Sequence, residues 1–145
     1  MNTLVHFKKV HADAQIPSYG SVGAAGMDFY ALETVYLPAR SFSHKVRTGL
    51  TLELSPGTEL QIRNRSSLST KELVKLSNQV GTIDSDFRGE IVIMLDNFGT
   101  EGYWVQKGDR IAQGILAPYL RAEFHPAEKL SETTRGEGGF GSTGK

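Results

Sequence analysis

Short runs in which apolar and polar residues alternate occupy most of the chain, and this alternation predicts an all-β fold. It is clearest where Leu50, Leu52 and Leu54 alternate with Thr51 and Glu53. The runs are separated by Gly, Pro, Asn and Asp, which are typical of turns. We predict strands at residues 4–7, 27–31, 35–37, 43–54, 59–63, 90–95, 103–105 and 111–120.

Only the segment Ser66–Leu76 has a helical pattern, with Ser66 or Ser69 as the predicted N-cap. Beyond residue 122 the apolar pattern fades, and residues from about 131 to 145 are rich in glycine, so we predict a mobile C-terminal arm there. Residues 1–145 are therefore expected to form a single all-β domain, a jelly-roll-like distorted barrel with one short helix and a flexible C-terminal arm.

The balance of basic and acidic side chains limits the kinds of partner that this protein is expected to bind. The 145 residues include 16 basic and 16 acidic side chains, which argues against direct nucleic-acid binding or membrane-surface binding. The chain has no cysteine, hence no disulfide or thiolate metal site, and it has neither an 18-residue apolar run nor an apolar N-terminal stretch. We expect a cytoplasmic protein without a membrane span.

The glycine-rich arm carries side chains that a simple linker does not need. It contains the aromatic Phe140, the hydroxyls of Ser142 and Thr143, and the guanidinium of Arg135. A solvated tail is one interpretation. The other is a segment that closes over a ligand, because these groups suit phosphates and a stacked base.

Two upstream stretches favour an anion site. Small residues precede Asp28, whose carboxylate suits a metal-bound water or a cationic side chain, although a turn before a strand explains it equally. Arg65, Ser66 and Ser67 stand between a predicted strand and the predicted helix, where they suit a phosphate, or only an ordinary helix start.

Two later stretches add polar groups. Asp84 stands beside Asp86 and Arg88, which suits a general base held by a cation, and Asn78 suits the edge of a base. A polar loop is the simpler interpretation. In the segment 108–113, Gln113 is predicted to share a face with Ile111, and Asp109 to pair with Arg110 on the surface.

The five stretches together contain groups suited to a nucleoside triphosphate, and the chain has no P-loop lysine motif. In order, they resemble the five motifs of the homotrimeric dUTP diphosphatases (dUTPases). The matching segments are 25–29, 65–68, 81–89, 108–113 and 135–144. The resemblance spans the chain and implies that family's β-clip fold.

The resemblance also implies an activity. Family members hydrolyse dUTP to dUMP and pyrophosphate with Mg²⁺, which limits uracil incorporation into DNA and supplies dUMP for dTMP synthesis. It assigns Asp84 the activation of the attacking water and Asp28 a contact to Mg²⁺ through water. It implies a homotrimer with active sites shared between subunits. Phosphates would be held by Arg65, Ser66, Ser67, Gln113, Arg135, Ser142 and Thr143, and the uracil and deoxyribose by Asn78, Gly81, Ile83, Phe87 and Phe140.

Two positions depart from the family pattern: Ser67 stands where Gly is usual, and Phe87 where Tyr is usual. Ser67 also resembles the dCTP deaminases, a sister branch, so a deaminase or bifunctional enzyme is an alternative. That branch needs a glutamate at the position of Met94, whose thioether cannot carry a proton. A regulatory module that senses dUTP is a second alternative. The source is either cellular or viral. For a viral source, we expect the protein in the cytoplasm of the host.

Overall fold

The computed structural model describes residues 3–139, and strands dominate them. The prediction of an all-β fold with one short helix is confirmed. The elements of the described residues are β1 (Val5–Lys9), β2 (Ser18–Tyr19), β3 (Met27–Tyr30), β4 (Val35–Leu37), β5 (Ser41–Arg47), β6 (Leu50–Leu54), β7 (Thr58–Arg63), α1 (Ser66–Thr70), β8 (Val74–Leu76), β9 (Gly81–Ile83), β10 (Val92–Asn97), β11 (Tyr103–Val105) and β12 (Arg110–Pro118).

The strands of the described range pair into four antiparallel sheets and do not close into a barrel. The largest has the order β2-β3-β12-β7-β9, and a second has the order β5-β10-β8. The pairs β1-β6 and β11-β4 complete the set. Because β3, β7 and β12 are neighbours, segments far apart in sequence meet on one sheet, and this sheet positions most of the candidate site.

The core lies between these sheets and follows the predicted alternation. Leu50, Leu52 and Leu54 are buried while Glu53 is exposed. Phe29 and Leu60 are fully buried. Burying one side chain of this size contributes about 1.5–3 kcal/mol, so apolar packing is the main stabilising term of the fold.

The predicted helix Ser66–Leu76 is too long. Helix α1 ends at Thr70, and Val74–Leu76 forms strand β8, which pairs with β10. The change of structure occurs at Leu73, whose positive φ of 56° cannot continue a helix. Pairing β8 with β10 buries Val74 and Leu76, and this tertiary gain outweighs a weak helical pattern.

The predicted serine cap is also wrong, and the long predicted strand 43–54 is divided. Arg65 is the N-cap residue and makes no side-chain capping hydrogen bond. Between β5 and β6, Gly49 has φ +70°, and a Cβ there would lie 2.9 Å from the Cβ of Ala14, so only glycine suits the turn.

Residues 119–139 follow the last strand and form neither strand nor helix. Leu120, Phe124 and Leu130 in this segment expose most or all of their surface. In the part of the chain described here, no helix has the length and apolar character needed to cross a membrane.

Candidate functional site

A β-bulge in β12 brings Arg110 and Gln113 to one face of the large sheet. Arg110 pairs with Tyr30 and Gln113 with Asp28, and Ile111 is the extra residue between them. Residues three apart on a regular strand point to opposite faces, so the bulge is what aligns these two side chains. Ile111 turns into the core instead, and the prediction that Gln113 shares its face is wrong.

Asp28 is the centre of an ion-paired cluster on this face. Its Oδ1 accepts a hydrogen bond from Arg65 Nε at 2.9 Å, and its Oδ2 lies 3.3 Å from Arg110 Nη1. Arg65 Nη1 also donates to the carbonyl of Arg110 at 3.2 Å. The prediction that Arg110 pairs with Asp109 is wrong, because the Asp109 carboxylate accepts from the backbone of Gln106.

The ion pairs fix the charge and shape of this cluster. Asp28 is buried, Arg65 is mostly buried and Arg110 is half-exposed. One carboxylate between two guanidiniums leaves one net positive charge. Because neither arginine is fully buried, both keep N–H donors that can turn to an anion. The cluster can therefore bind an anionic ligand without a rearrangement of the strands that carry it.

Asn64 holds the rest of the cluster in place. Its carbonyl accepts from Gln113 Nε2 at 2.8 Å, and its side chain accepts from the backbone N–H of Leu76 at 2.7 Å. Gly26 lies against the Gln113 side chain, and a Cβ there would overlap the Gln113 carboxamide. The Gln113 amide is therefore held at a defined position beside Asp28.

These groups border an open cleft, which we call the cationic pocket. It is lined by Gly20, Ala24, Gly26, Asp28, Arg65, Ser66, Arg110 and Gln113. The predicted phosphate ligands Arg65, Ser66 and Gln113 thus lie together with the predicted metal-facing Asp28. Polar and cationic groups dominate its lining, which suits a phosphate chain.

Ser67 lies on the other side of Arg65, in a neighbouring cavity that also contains Arg110 and Tyr103. Burial raises the pKa of the Tyr103 hydroxyl, and the charges of Glu72 and Asp109 act in the same direction. The Tyr103 hydroxyl is therefore a protonated donor at neutral pH. Ser67 and Ser66 face different cavities although they are adjacent in sequence.

A second candidate subsite lies at the turn between β8 and β9, which pair with β10 and β7 respectively. This narrow pocket, here called the hairpin pocket, contains Asn78 and Gly81. A Cβ on Gly81 would lie 3.1 Å from Asn78 Nδ2, so the glycine leaves room for the amide. The remaining lining residues are Ile62, Leu76, Thr82, Ile83, Val92, Ile93 and Met94.

The loop after β9 carries Asp84 and Phe87, both exposed. The backbone N–H of Phe87 donates to the Asp84 carbonyl at 3.2 Å. Arg88 Nη1 donates to the carbonyls of Ser85 and Phe87 at 2.8 and 3.0 Å, which fixes the shape of the loop. Asp84 opens into a wide cleft that also contains Asp86, Tyr119, Arg121 and Phe124.

One chain does not bring all the predicted residues together. The cationic pocket, the hairpin pocket and the Asp84 cleft have no lining residue in common. Arg135 is exposed and donates to the carbonyl of Gly138 at 2.8 Å, within the arm itself. Phe140, Ser142 and Thr143 lie outside the described residues.

The sequence prediction missed Arg110, Asn64 and the role of Gly26. For Arg110, the missing information was the bulge, because without it an arginine three residues before Gln113 points away from the site. Asn64 directly precedes Arg65, the first residue of a stretch that the sequence analysis identified. Its hydrogen bond with Gln113 depends on the pairing of β7 with β12, and its bond with Leu76 depends on the position of β8, neither of which a local pattern reveals.

The donor set limits how a metal would be held. Within residues 3–139 no three His, Cys, Asp or Glu side chains form a metal-binding group. Asp28 alone offers a carboxylate in the cationic pocket, and both of its oxygens also face arginines. A single carboxylate fits Mg²⁺ that keeps its waters and takes its other ligands from phosphates.

The fold and the separated pockets define a β-protein with an anion subsite and an amide-lined subsite. A family model described as dUTPase matches residues 12–144, and the chain belongs to the dUTPase family. The resemblance stated from the motifs is confirmed.

Named relatives cover nearly the whole chain. The deoxyuridine 5′-triphosphate nucleotidohydrolase of Wolinella succinogenes is 48% identical over 141 residues, covering 97% of this chain and 94% of the relative. The protein of the same name from Helicobacter pylori strain J99 is 45% identical over 140 residues, covering 97% of this chain and 96% of the relative.

A solved structure supports the fold class. A mutant dUTPase of Staphylococcus bacteriophage 80alpha with dUpNHpp has a TM-score of 0.91 at 23% identity, covering 99% of this chain and all of that chain. At this identity the likeness concerns the fold, and the predicted dUTPase-like class is confirmed.

Proposed function

We propose that this protein hydrolyses dUTP to dUMP and pyrophosphate with Mg²⁺, which limits uracil incorporation into DNA and supplies dUMP for dTMP synthesis. The observation that carries the proposal is the cationic pocket. Three segments distant in sequence place Asp28, Arg65 and Gln113 on one face, held by ion pairs and by Asn64. The names of the relatives support dUTP as the substrate.

The reaction is water attack on the α-phosphorus. A water oxygen forms a bond to phosphorus, and its proton passes to the carboxylate of Asp84. The bond between the α-phosphorus and the bridging oxygen of the β-phosphate breaks, and pyrophosphate leaves with its electron pair. Asp84 suits this role because its carboxylate is exposed in an open cleft, on a loop shaped by Arg88.

The phosphate chain lies in the cationic pocket. Arg65 and Arg110 supply charge-assisted donors, and Ser66 and Gln113 supply a hydroxyl and an amide. Asp28 would contact Mg²⁺ through water while the phosphates hold the ion, which would neutralise the developing negative charge. Ser67 lines the neighbouring cavity, and any contact it makes with the phosphates would be weaker than that of Ser66. The arm residues Arg135, Ser142 and Thr143 would add further phosphate contacts.

Uracil recognition belongs to the hairpin pocket. Asn78 offers a donor and an acceptor, and Gly81 and Ile83 border the same narrow space. Phe87 offers its ring to the deoxyribose, and Phe140 would cap the base. The hairpin pocket has no carboxylate among its lining residues, and Met94 stands in its wall. A deamination therefore lacks the acid and base that it needs.

A complete site needs more than one copy of the chain. The three clefts share no lining residue, and the segment after β12 exposes the apolar side chains of Leu120 and Phe124. Both observations support a homotrimer that shares its active sites. The cytoplasmic location stays a prediction.

A substrate panel tests the proposal. Purified protein with Mg²⁺ should release pyrophosphate from dUTP and leave dTTP and UTP nearly untouched. Ammonia release from dCTP is measured in parallel, since it would identify a deaminase. Hydrolysis of all four nucleotides at similar rates would refute the specificity, and no hydrolysis of dUTP would refute the activity.

A further inference from the structure

Gly89 lies directly under the ring of Phe87, two residues earlier in the chain. A Cβ at Gly89 would lie 2.5 Å from Phe87 Cζ and 2.9 Å from Cε2. Real Cβ atoms do not approach ring carbons this closely, so any other residue at 89 displaces the ring. The ring therefore rests across the Cα of Gly89.

The backbone conformation at residue 89 does not require a glycine. Gly49, Gly57, Gly108 and Gly136 are the described glycines with positive φ, and Gly89 is not among them. An alanine at 89 is thus acceptable to the backbone itself, which leaves the space under the ring as the reason for glycine.

The loop around Phe87 cannot easily move to absorb a methyl group. Arg88 Nη1 holds the carbonyls of Ser85 and Phe87, and the Phe87 N–H is bonded to the Asp84 carbonyl. With the backbone fixed at three points, the side chain of Phe87 is the part that must rotate. Phe87 is 42% exposed, so its side chain has room to rotate toward solvent.

We infer that Gly89 is a positioning residue for substrate selectivity: it seats the Phe87 ring at the height that admits a deoxyribose and excludes a 2′-hydroxyl. This inference rests on the proposed function. A displaced ring no longer touches the sugar in the same way, so the site distinguishes deoxyribose from ribose less well. The predicted loss concerns the choice between dUTP and UTP rather than the hydrolytic step.

The test compares kcat and KM for dUTP and UTP in Gly89→Ala. We expect the kcat/KM ratio of dUTP to UTP to fall at least tenfold, mainly through KM for dUTP, while kcat changes less than about threefold. Gly23→Ala is the matched control, because a Cβ there meets nothing within 4 Å and Gly23 lines none of the three clefts. The control should keep the wild-type ratio.

A double-mutant cycle separates positioning from a general structural role. In the Phe87→Ala background no ring remains, so adding Gly89→Ala should change the dUTP to UTP ratio by less than about twofold. An equal fall in both backgrounds, or an unchanged ratio in Gly89→Ala alone, overturns the inference. Wild-type protein that does not discriminate UTP contradicts the proposed function instead, so the two failures are distinguishable.

Discussion

The cationic pocket and the loop 84–89 are built in opposite ways. The pocket is fixed by side chains: Asp28 is buried between two arginines, and Gln113 is bonded to the chain at Asn64. The loop is held by hydrogen bonds within residues 84–88, two of them from Arg88 to backbone carbonyls, and the groups assigned to chemistry, Asp84 and Phe87, are exposed. One chain thus forms the cationic pocket by itself, whereas Asp84, the proposed general base, is exposed.

We expect the largest effect on activity from a substitution of the exposed Asp84. Asp84→Asn keeps the size of the side chain and removes the proton acceptor. General-base catalysis contributes about 10²- to 10⁴-fold, so kcat should fall by about a thousandfold. Binding of a non-hydrolysable dUTP analogue, measured by calorimetry, should change little, because the proposed phosphate site is the cationic pocket, which Asp84 does not line.

Asp86→Asn is the matched control, since Asp86 lines the same cleft two residues away. It should retain most of the activity. If Asp86→Asn lost as much as Asp84→Asn, the charge of the loop rather than one base would be responsible. If Asp84→Asn stayed active, the assigned mechanism would be wrong.

The second effect concerns the arm. Truncation after Glu132 removes Arg135 together with the glycine-rich segment, and we expect a loss of about a hundredfold in kcat/KM because the closing contacts and the exclusion of water are lost. The melting temperature and the oligomer size should stay unchanged, because residues 133–137 are exposed. A fully active truncated protein would contradict the role of the arm.

The alternation of apolar and polar residues predicted some strands correctly and others wrongly. Alternation located β6 and β7 well because burial on one face leaves a period of two. It failed at Val74–Leu76, where pairing with β10 decides the structure, and at Arg110, where a bulge reverses the face. The pattern of residues in one segment does not show how that segment pairs with another strand, and both errors have this cause.

The candidate residues themselves were found through the motifs, and the structure adds how they are supported. The sequence shows that glycine stands at 26, 81 and 89, without indicating that each leaves room for a particular side chain. Gln113, Asn78 and Phe87 occupy those spaces. Such a relation depends on side-chain packing between residues up to 87 positions apart, 113 minus 26, and no periodicity encodes it.

The third effect tests the preorganised pocket. Asp28→Asn leaves two guanidiniums without their shared carboxylate, and an unmatched charged partner costs about 1–3 kcal/mol. We expect KM for dUTP to rise about tenfold, which corresponds to ~1.4 kcal/mol, with a smaller change in kcat. The melting temperature should also fall. KM measured over a range of Mg²⁺ concentrations shows whether metal affinity is affected as well.

Asp13→Asn provides the same substitution at an exposed carboxylate, which is bonded to Lys107. Surface ion pairs contribute about 0–1 kcal/mol, so KM should be unchanged and the melting temperature nearly so. A lower KM in Asp28→Asn would contradict the model of a carboxylate that positions the arginines, because it would mean that Asp28 merely offsets their charge.

The smallest effect distinguishes the two serines after Arg65. Ser66 lines the cationic pocket and Ser67 the neighbouring cavity. If the phosphate chain lies in the pocket, Ser66→Ala should raise KM for dUTP about fivefold, the scale of one hydrogen bond of about 1 kcal/mol, while Ser67→Ala should change it less than about twofold. Equal effects would mean that the ligand also occupies the Tyr103 cavity. That result would extend anion binding beyond the preorganised pocket and give Ser67, which replaces the usual glycine, a direct contact to the phosphates.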